Sequence, residues 1–415
     1  MQKEISLSSS DHLQLLFDYK IKREGGSANT SQLLIELASL ISADELKQHL
    51  LSNTYVKQLV NTSLVRPFFG KERYRFEENN ELLFTEVIAD KIVYSTVFGN
   101  DFFGSSPVKI TLIQLPKSSA VLFQVNHIFI DNNGVKNILR SFNGEKFQFH
   151  RTLKPEKDSF FTRLKNGFAF ARIMMKKWRE PISYISSTDT NPVLKEYIIH
   201  DFTAEETNQI ESKIIRSHHI KSMSSLLLAV CCKTIQEHID SKGETQQKYL
   251  FQQPSELTHK KDPKYILGNR FSFMYYRLKP EQVTSISEIQ QELNKQTMEQ
   301  MKADIASKSL DLQSILRFLK LGIYYWMMNR PAKGKMTSFA YTYIGETKII
   351  DEFAGRKITN ITNIPPVMKN PPVTFGGVLY EGKLRVKICY DSNSMTSKEA
   401  ADMIDSLKNY LLYAE

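Results

Sequence analysis

The sequence predicts an α/β protein of two mixed halves, and three observations carry that expectation. The chain has 415 residues, 41% of them hydrophobic and 24% charged, which is ordinary globular chemistry with material for about two to three cores. Strand-like and helix-like runs are intermixed in both halves, without the strict strand–helix–strand alternation of a doubly wound parallel sheet. Between the halves, Ser186 to Pro192 (Ser-Ser-Thr-Asp-Thr-Asn-Pro) is a polar stretch with turn chemistry. The expected division is a first lobe over residues 1–185, a linker over 186–195 and a second lobe over 196–415. No repeat of roughly 20 to 50 residues marks a solenoid.

Taken in order, Leu33, Leu34, Leu37, Leu40 and Ile41 fall at helical spacing with Asn29 and Ser31 ahead as caps, and predict one or two helices over Leu33–Leu51. Arg73–Phe76 and Glu81–Ile88 read as short strands set off by acidic turns, and Val108–Leu115 with Ala120–Phe129 as a hairpin. Asn132–Phe142 carries Val135, Ile138, Leu139 and Phe142 at helical spacing, with Asp131 or Asn132 as N-cap. Residues 151–180 hold nine Lys and Arg against three acids, interleaved with Phe160, Phe161, Phe168, Phe170 and Trp178, the pattern of a basic amphipathic helix. Its plain reading is a solvated helix packed on its own domain, and docking to an acidic carrier protein or to membrane phosphates is the alternative.

The second half restarts with a strand over Glu196–Phe202 and a helix opened by Thr203, where Glu206 completes a capping box. A buried helix follows at Met223–Ile239, then strands near Tyr249–Gln252 and Asn269–Leu278, and helices at Ser285–Met301 and Leu310–Trp326. Strands at Thr337–Ile344, Val373–Tyr380 and Lys383–Tyr390 come next, the last two joined at Glu381-Gly382, and a helix over Ser397–Leu412 closes the pattern.

A net charge of +10, with a pI near 9.2, points to an acidic partner: nucleic acid, anionic lipid, a phosphorylated cofactor or an acidic carrier protein. No helix-turn-helix or zinc finger gives nucleic acid a module. Three cysteines, Cys231, Cys232 and Cys389, make neither a disulfide framework nor a redox pair, so a reducing, cytoplasmic setting is expected. Met1 to Asp18 lacks the basic start and apolar run of a signal peptide. The most apolar stretches, Met223–Cys232 and Leu319–Met328, fall short of the roughly 20 residues of a membrane span.

Phosphate-binding Gly-rich loops, the dinucleotide fingerprint, the Gly-x-Ser-x-Gly elbow and the His-Glu-x-x-His helix are all absent. His218-His219 stands in a polar, basic stretch without a third ligand and reads as surface loop, so no metal site is expected. The informative element is His127-Ile128-Phe129-Ile130-Asp131. The histidine ends an apolar strand, the aspartate opens the turn into a helix, and Asn126, Asn132 and Asn133 crowd the same spot. A strand-to-loop exit of this kind points side chains into a cleft, and a neutral imidazole there can take a proton from a hydroxyl or amine.

In these residues the chain resembles the chloramphenicol acetyltransferase-like superfamily, which includes peptide-synthetase condensation domains, wax ester synthases and alcohol and polyketide-associated acyltransferases. Their hallmark is H-H-x-x-x-D-G or H-x-x-x-D-G at a strand end in the first half of the chain, and Asn126 to Asp131 is similar to it in type and place. Leu33 to Arg66, read as two amphipathic helices and then Ser-Leu-Val-Arg, looks like the opening region of condensation domains. Ile266-Leu267-Gly268-Asn269-Arg270 is similar to the family's Leu-Gly-Asn strand, and Thr342-Tyr343-Ile344-Gly345 with the following hairpin and helix resembles its closing pattern. Two positions depart: Asn126 replaces the first histidine, and Asn132 replaces the glycine after the aspartate, the next glycine being Gly134. Asparagine is the best substitute where a glycine serves a positive φ.

The resemblance implies two lobes, each a mixed, largely antiparallel sheet with helices, facing each other as a pseudo-dimer with a tunnel at the interface. It implies acyl transfer from acyl-CoA or a phosphopantetheinyl carrier protein to a hydroxyl or amine, with His127 as general base and no tightly bound cofactor. Asp131 would be structural, paired with Arg66 by analogy with condensation domains or with Arg270 by analogy with plant-type enzymes, and Thr342 would be an oxyanion donor. A monomer is the simplest expectation. Two other readings stay open: a catalytically inactive binding protein on the same lobes, suggested by Asn132, and a basic membrane or nucleic-acid binder using residues 151–180.

Overall fold

The computed structural model describes residues 4–413 except 27, 67–71, 79, 94–105, 151–158, 186–190, 217–221, 244–246, 257–263, 331–333 and 348. In chain order the first half contains β1 (Glu4–Ser6), α1 (Ser9–Arg23), β2 (Thr30–Leu37), α2 (Ala43–Ser52), α3 (Thr54–Val60), β3 (Thr62–Val65), β4 (Arg73–Phe76), β5 (Leu83–Ile88), β6 (Val108–Gln114), β7 (Ser119–Asn126), α4 (Asn132–Phe142), β8 (Gln148–His150) and α5 (Phe160–Arg179). The second half contains β9 (Lys195–Asp201), α6 (Ala204–Arg216), α7 (Met223–Ser241), β10 (Tyr249–Glu256), β11 (Tyr265–Leu267), β12 (Phe271–Leu278), α8 (Ile286–Lys302), α9 (Ile305–Leu316) and α10 (Leu321–Asn329). It ends with β13 (Phe339–Glu346), β14 (Glu352–Phe353), β15 (Arg356–Ile364), β16 (Val373–Tyr380), β17 (Lys383–Asp391) and α11 (Ser397–Tyr413).

Two six-stranded sheets organise the molecule, in the orders β14-β15-β2-β7-β6-β5 and β12-β10-β13-β16-β17-β9. In the first, every pair but β5–β6 is antiparallel; in the second, β10–β13 and β13–β16 are parallel and the rest antiparallel. The period of two along each strand decides where the cores lie. In β2 and β7, Leu33, Ile35, Leu37, Val121, Phe123 and Val125 face α2, α3 and α4, whose Leu46, Leu50, Leu59 and Ile138 cover them. Their other faces, with Leu34 and Leu122, meet Ile364 and Cys389 and are packed by Tyr197 and Ile199 from β9. The second sheet is covered by α7, α8 and α11, and a separate cluster seats α1, α5, α9 and α10 on Phe273 and Tyr275 of β12. The sheets are thus covered by helices and meet each other through their inner faces.

Several expectations stand as drawn. The pairing of β6 with β7, the helix α4 with Asp131 as N-cap, the buried helix α7 and the hairpin joined at Glu381-Gly382, whose two residues both take positive φ, are all present. Thr203 and Glu206 form the reciprocal box, the Thr203 N–H donating to Glu206 at 2.8 Å and the Glu206 N–H donating to Thr203 Oγ1 at 3.1 Å.

Other expectations need correction. Thr30–Leu37 is a strand, not the start of a helix over Leu33–Leu51; the helices of that region are α2 and α3, over Ala43–Ser52 and Thr54–Val60. A central strand buried on both faces is a continuous apolar run, and such a run also satisfies helical spacing. The helix expected over Leu310–Trp326 is two. After Leu316 the hydrogen bonds tighten, Phe318 N–H to Ile315 and Leu319 N–H to Leu316, and Lys320 turns extended at ψ 138° before α10 begins. The second strand of the hairpin ends at Asn126, with His127 already in the turn. His218-His219 and part of the 186–195 linker lie outside the described residues.

Candidate active site

Strand β7 is buried along its whole length and ends at Asn126, which builds the turn that follows. Its side-chain oxygen accepts the Ile128 N–H at 3.0 Å and its carbonyl accepts the Phe129 N–H at 3.0 Å. The His127 N–H donates to the Asn29 carbonyl at 2.8 Å. The carbonyls left over by this buried turn need partners, and distant segments supply them. Tyr74 donates its hydroxyl to Ile128 at 2.7 Å, and Gly268 donates its N–H to Phe129 at 2.7 Å. The Asn269 side-chain amide donates to the carbonyls of His127 and Ile128, each at 3.1 Å. Asn269 is in turn held by Asp11, whose Oδ1 accepts its backbone N–H at 2.6 Å and its side-chain N–H at 3.0 Å. Burial pushes the Asp11 carboxyl up, against the hydrogen bonds from Ser8 and Asn269 that favour the anion.

Asp131 closes the turn as the N-cap of α4, its Oδ1 accepting the Gly134 N–H at 2.8 Å. Asn132 does not occupy a positive φ, so the left-handed role considered for a glycine there is not used. It takes the first helical position instead, and its Oδ1 accepts the Ser31 hydroxyl at 3.0 Å. The glycine that the packing requires is Gly134: a Cβ there would lie 2.4 Å from the Ile266 carbonyl oxygen and 2.5 Å from Ile130 Cγ2. Lys136, one turn on, donates to the carbonyls of Ile344 and Glu346 at 3.0 and 3.2 Å, tying α4 to β13.

His127 and Asp131 open on a cavity of about 320 Å³ with walls from both halves. Asn132 and Asn133 join them from α4, Gln14 and Phe17 from α1, Gln252 from β10, Phe271 and Phe273 from β12, and Ala340 to Ile344 from β13. Thr342 therefore lines the same cavity as the motif, from the second sheet. Phe339 and Tyr341 belong to the core beneath the second sheet, so the alternation of β13 turns Thr342 to the sheet's opposite face. Arg270 also lines the cavity, whereas Arg66 is exposed beyond β3, outside the lining, with its charge acting on Glu72. Of the two arginines considered for Asp131, the fold brings Arg270 to the same cavity.

Burial pushes the His127 imidazole below its usual 6.5, opposed by its own backbone carbonyl and by Asn269. The ring is neutral at pH 7. Its Nδ1 is buried and makes no hydrogen bond of good geometry among the described residues. A neutral ring at a cavity wall is a proton acceptor in waiting.

One residue of interest carried no sequence signal. Lys387 is fully buried, and its amine donates to the backbone carbonyl of Asn363 and, at 3.0 Å, to the Asn363 side-chain oxygen. Cross-strand pairing puts Thr342, Gly376 and Lys387 on one face, and Gly376 is glycine because a Cβ would lie 2.5 Å from Lys387 Cε. Asn363 lines the cavity, so the lysine sits directly behind its wall, and burial pushes its amine down to about 7. Asp11 and Tyr74 carry no site signal in the sequence either, whereas Asn269 lies in the Leu267-Gly268-Asn269 stretch beside Arg270.

No family model and no curated protein sequence matches the chain. Solved structures do. A trichothecene 15-O-acetyltransferase from Fusarium sporotrichioides superposes with a TM-score of 0.74 at 10% identity, over 99% of this chain and 95% of its own. The first condensation domain of the calcium-dependent antibiotic synthetase gives 0.69 at 10% identity, over 100% and 97%. A wax ester synthase/diacylglycerol acyltransferase from Marinobacter aquaeolei VT8 gives 0.61 at 11% identity, over 98% of each chain.

Proposed function

Given that the chain has the two-lobed fold of the chloramphenicol acetyltransferase-like superfamily, we propose that it transfers an acyl group from a thioester to a hydroxyl or amine, with His127 as general base. The observation that carries this reading is a neutral imidazole on the wall of a cavity shared by both halves. Fold alone does not assign a reaction; the site does.

In the proposed reaction the acceptor O–H or N–H gives its proton to His127 while its oxygen or nitrogen attacks the thioester carbonyl carbon. The tetrahedral oxyanion is met by the Thr342 hydroxyl from the facing strand. Collapse breaks the carbon–sulfur bond, the imidazolium returns its proton, and a free thiol leaves with no acyl-enzyme formed. Asp131 holds the loop as helix cap, and Asn269, through Asp11, fixes the backbone that carries the ring. Coenzyme A and phosphopantetheinyl carriers are both anionic, and the excess of ten positive charges favours either. Asn132, helical and hydrogen-bonded to Ser31, supports the active reading over a catalytically silent scaffold.

The test is thiol release from a panel of acyl-CoA and acyl-phosphopantetheine thioesters with alcohol and amine acceptors. His127→Ala is expected to lose about 100- to 10,000-fold in turnover while keeping the wild-type melting curve. Unchanged turnover in a folded His127→Ala protein overturns the mechanism. Saturable thioester binding by the wild type without release, across the acceptor panel, overturns the transferase.

A further inference from the structure

Helix α5 contributes nothing to the cavity, yet it carries a basic, aromatic pattern of its own. Its inner side is fixed. Phe170 and Met174 are buried in the cluster that holds Leu316 and Tyr324, Asn166 donates to Asp311 at 2.9 Å, and at Gly167 a Cβ would lie 3.1 Å from Leu312 Cα. The outer side is a stripe. Phe161, Phe168 and Met175, seven residues apart and hence on one face, are 79%, 65% and 39% exposed. Lys165, Arg172, Lys176 and Arg179 lie beside them, all exposed, and the helix contains no carboxylate. The stripe runs along a helix on the order of 30 Å long.

The layer that α5 joins through α9 carries a second aromatic and basic patch where α1 meets α10. Ile323, Trp326 and Met327 of α10 are exposed while Tyr324 is buried in the shared cluster. Between α1 and α10 a surface crevice of about 400 Å³ is walled by Arg23, Tyr325, Trp326 and Arg330. Each guanidinium lies over a ring, Arg23 over Tyr325 at 5.6 Å and Arg330 over Trp326 at 5.0 Å. Arg23 also donates to the Tyr19 hydroxyl at 3.5 Å.

We propose that the outer face of α5 seats the protein on an anionic lipid surface. Exposed rings without a groove reach the acyl boundary, and cations without carboxylates meet the phosphates. A protein partner would need a complementary concave surface, whereas a straight, convex helix with rings and cations side by side and no groove fits the plane of a lipid surface. The proposal does not depend on acyl transfer, and its test reads binding alone.

The full chain is to be co-sedimented with vesicles of phosphatidylcholine mixed with phosphatidylserine, and with phosphatidylcholine alone, across a salt series. The wild type is expected to bind the anionic vesicles and to be released by salt. Lys165→Gln with Arg172→Gln is expected to weaken partitioning roughly 30-fold, from about one charge step each. Phe161→Ser with Phe168→Ser weakens it too but keeps the salt slope. Circular dichroism melts confirm that both double variants fold. No sedimentation with anionic vesicles at low salt overturns the proposal, as does wild-type binding by both double variants or binding to DNA in place of vesicles.

Discussion

His127 owes its readiness to burial: a ring pushed below 6.5 is unprotonated before any substrate arrives. The acidic limb of kcat/KM against pH is therefore expected below pH 6.5, with a plateau through neutrality, because protonation that disables the base occurs only there. A limb centred above 6.5 would contradict the assignment of that ring as the base. Lys387 bears on stability instead. Its amine is held at about 7 in the folded protein against 10.5 in an unfolded chain. Between those values the unfolded chain binds the extra proton, so stability rises with pH across that window, and below about 7 both states are charged and the cost is constant. The difference in unfolding free energy between wild type and Lys387→Met, followed by urea denaturation from neutral to about pH 10, should grow in the wild type's favour as the pH rises. A flat difference would show that the buried amine does not titrate there.

At the scale of elements, the loop–helix junction behind Asp131 separates two glycine questions that the motif alone conflates. Gly134→Ala drives a Cβ into the backbone oxygen of Ile266, and overpacking against a rigid carbonyl is expected to cost about 1–3 kcal/mol. Asn132→Gly puts in the glycine of the motif that the chain resembles, but at a helical φ, and it gives up the bond to Ser31; a loss of about 1 kcal/mol is expected. Urea unfolding of both variants decides, and a stabilised Asn132→Gly protein would show that a glycine is preferred there after all. The junction was legible because its signals are contiguous: strand, cap and helix occupy 24 successive residues, Ser119 to Phe142. Other elements were hidden for physical reasons. α1 buries Ser10, Asp11, His12, Gln14, Asp18 and Lys20 alongside Leu13, Leu15, Leu16 and Ile21, so buried polar residues interrupt its apolar positions and the pattern is weak. β2 is buried on both faces and mimics helical spacing, while its partners β7 and β15 settle it from far along the chain. The residues that hold the turn in place, Asp11, Tyr74 and Asn269, come singly from three segments, and only folding brings them together.

At the scale of the whole molecule, the two halves exchange elements across the polar break. β14 and β15 come from the second half yet complete the first sheet, where β15 pairs along β2 from Ile364 opposite Gln32 to Ile358 opposite Leu37. In return α1, from the first half, packs Leu13 and Leu16 on the Phe273 and Tyr275 of β12. A fragment of residues 1–185 would leave the apolar β2 with an open edge and lose Ile358 and Ile361 from its core, which is the arrangement that promotes aggregation. A fragment of residues 196–415 would expose the floor that α1 covers. Neither is expected to be soluble and folded alone, whereas the two produced together should reassemble, and the intact chain should unfold in one cooperative step by calorimetry. Two resolved transitions, or a 1–185 fragment with a sharp melt of its own, would show that the lobes are independent. In that case the cavity would be a docking interface able to open as a unit, and not the fixed enclosure that the shared strands make of it.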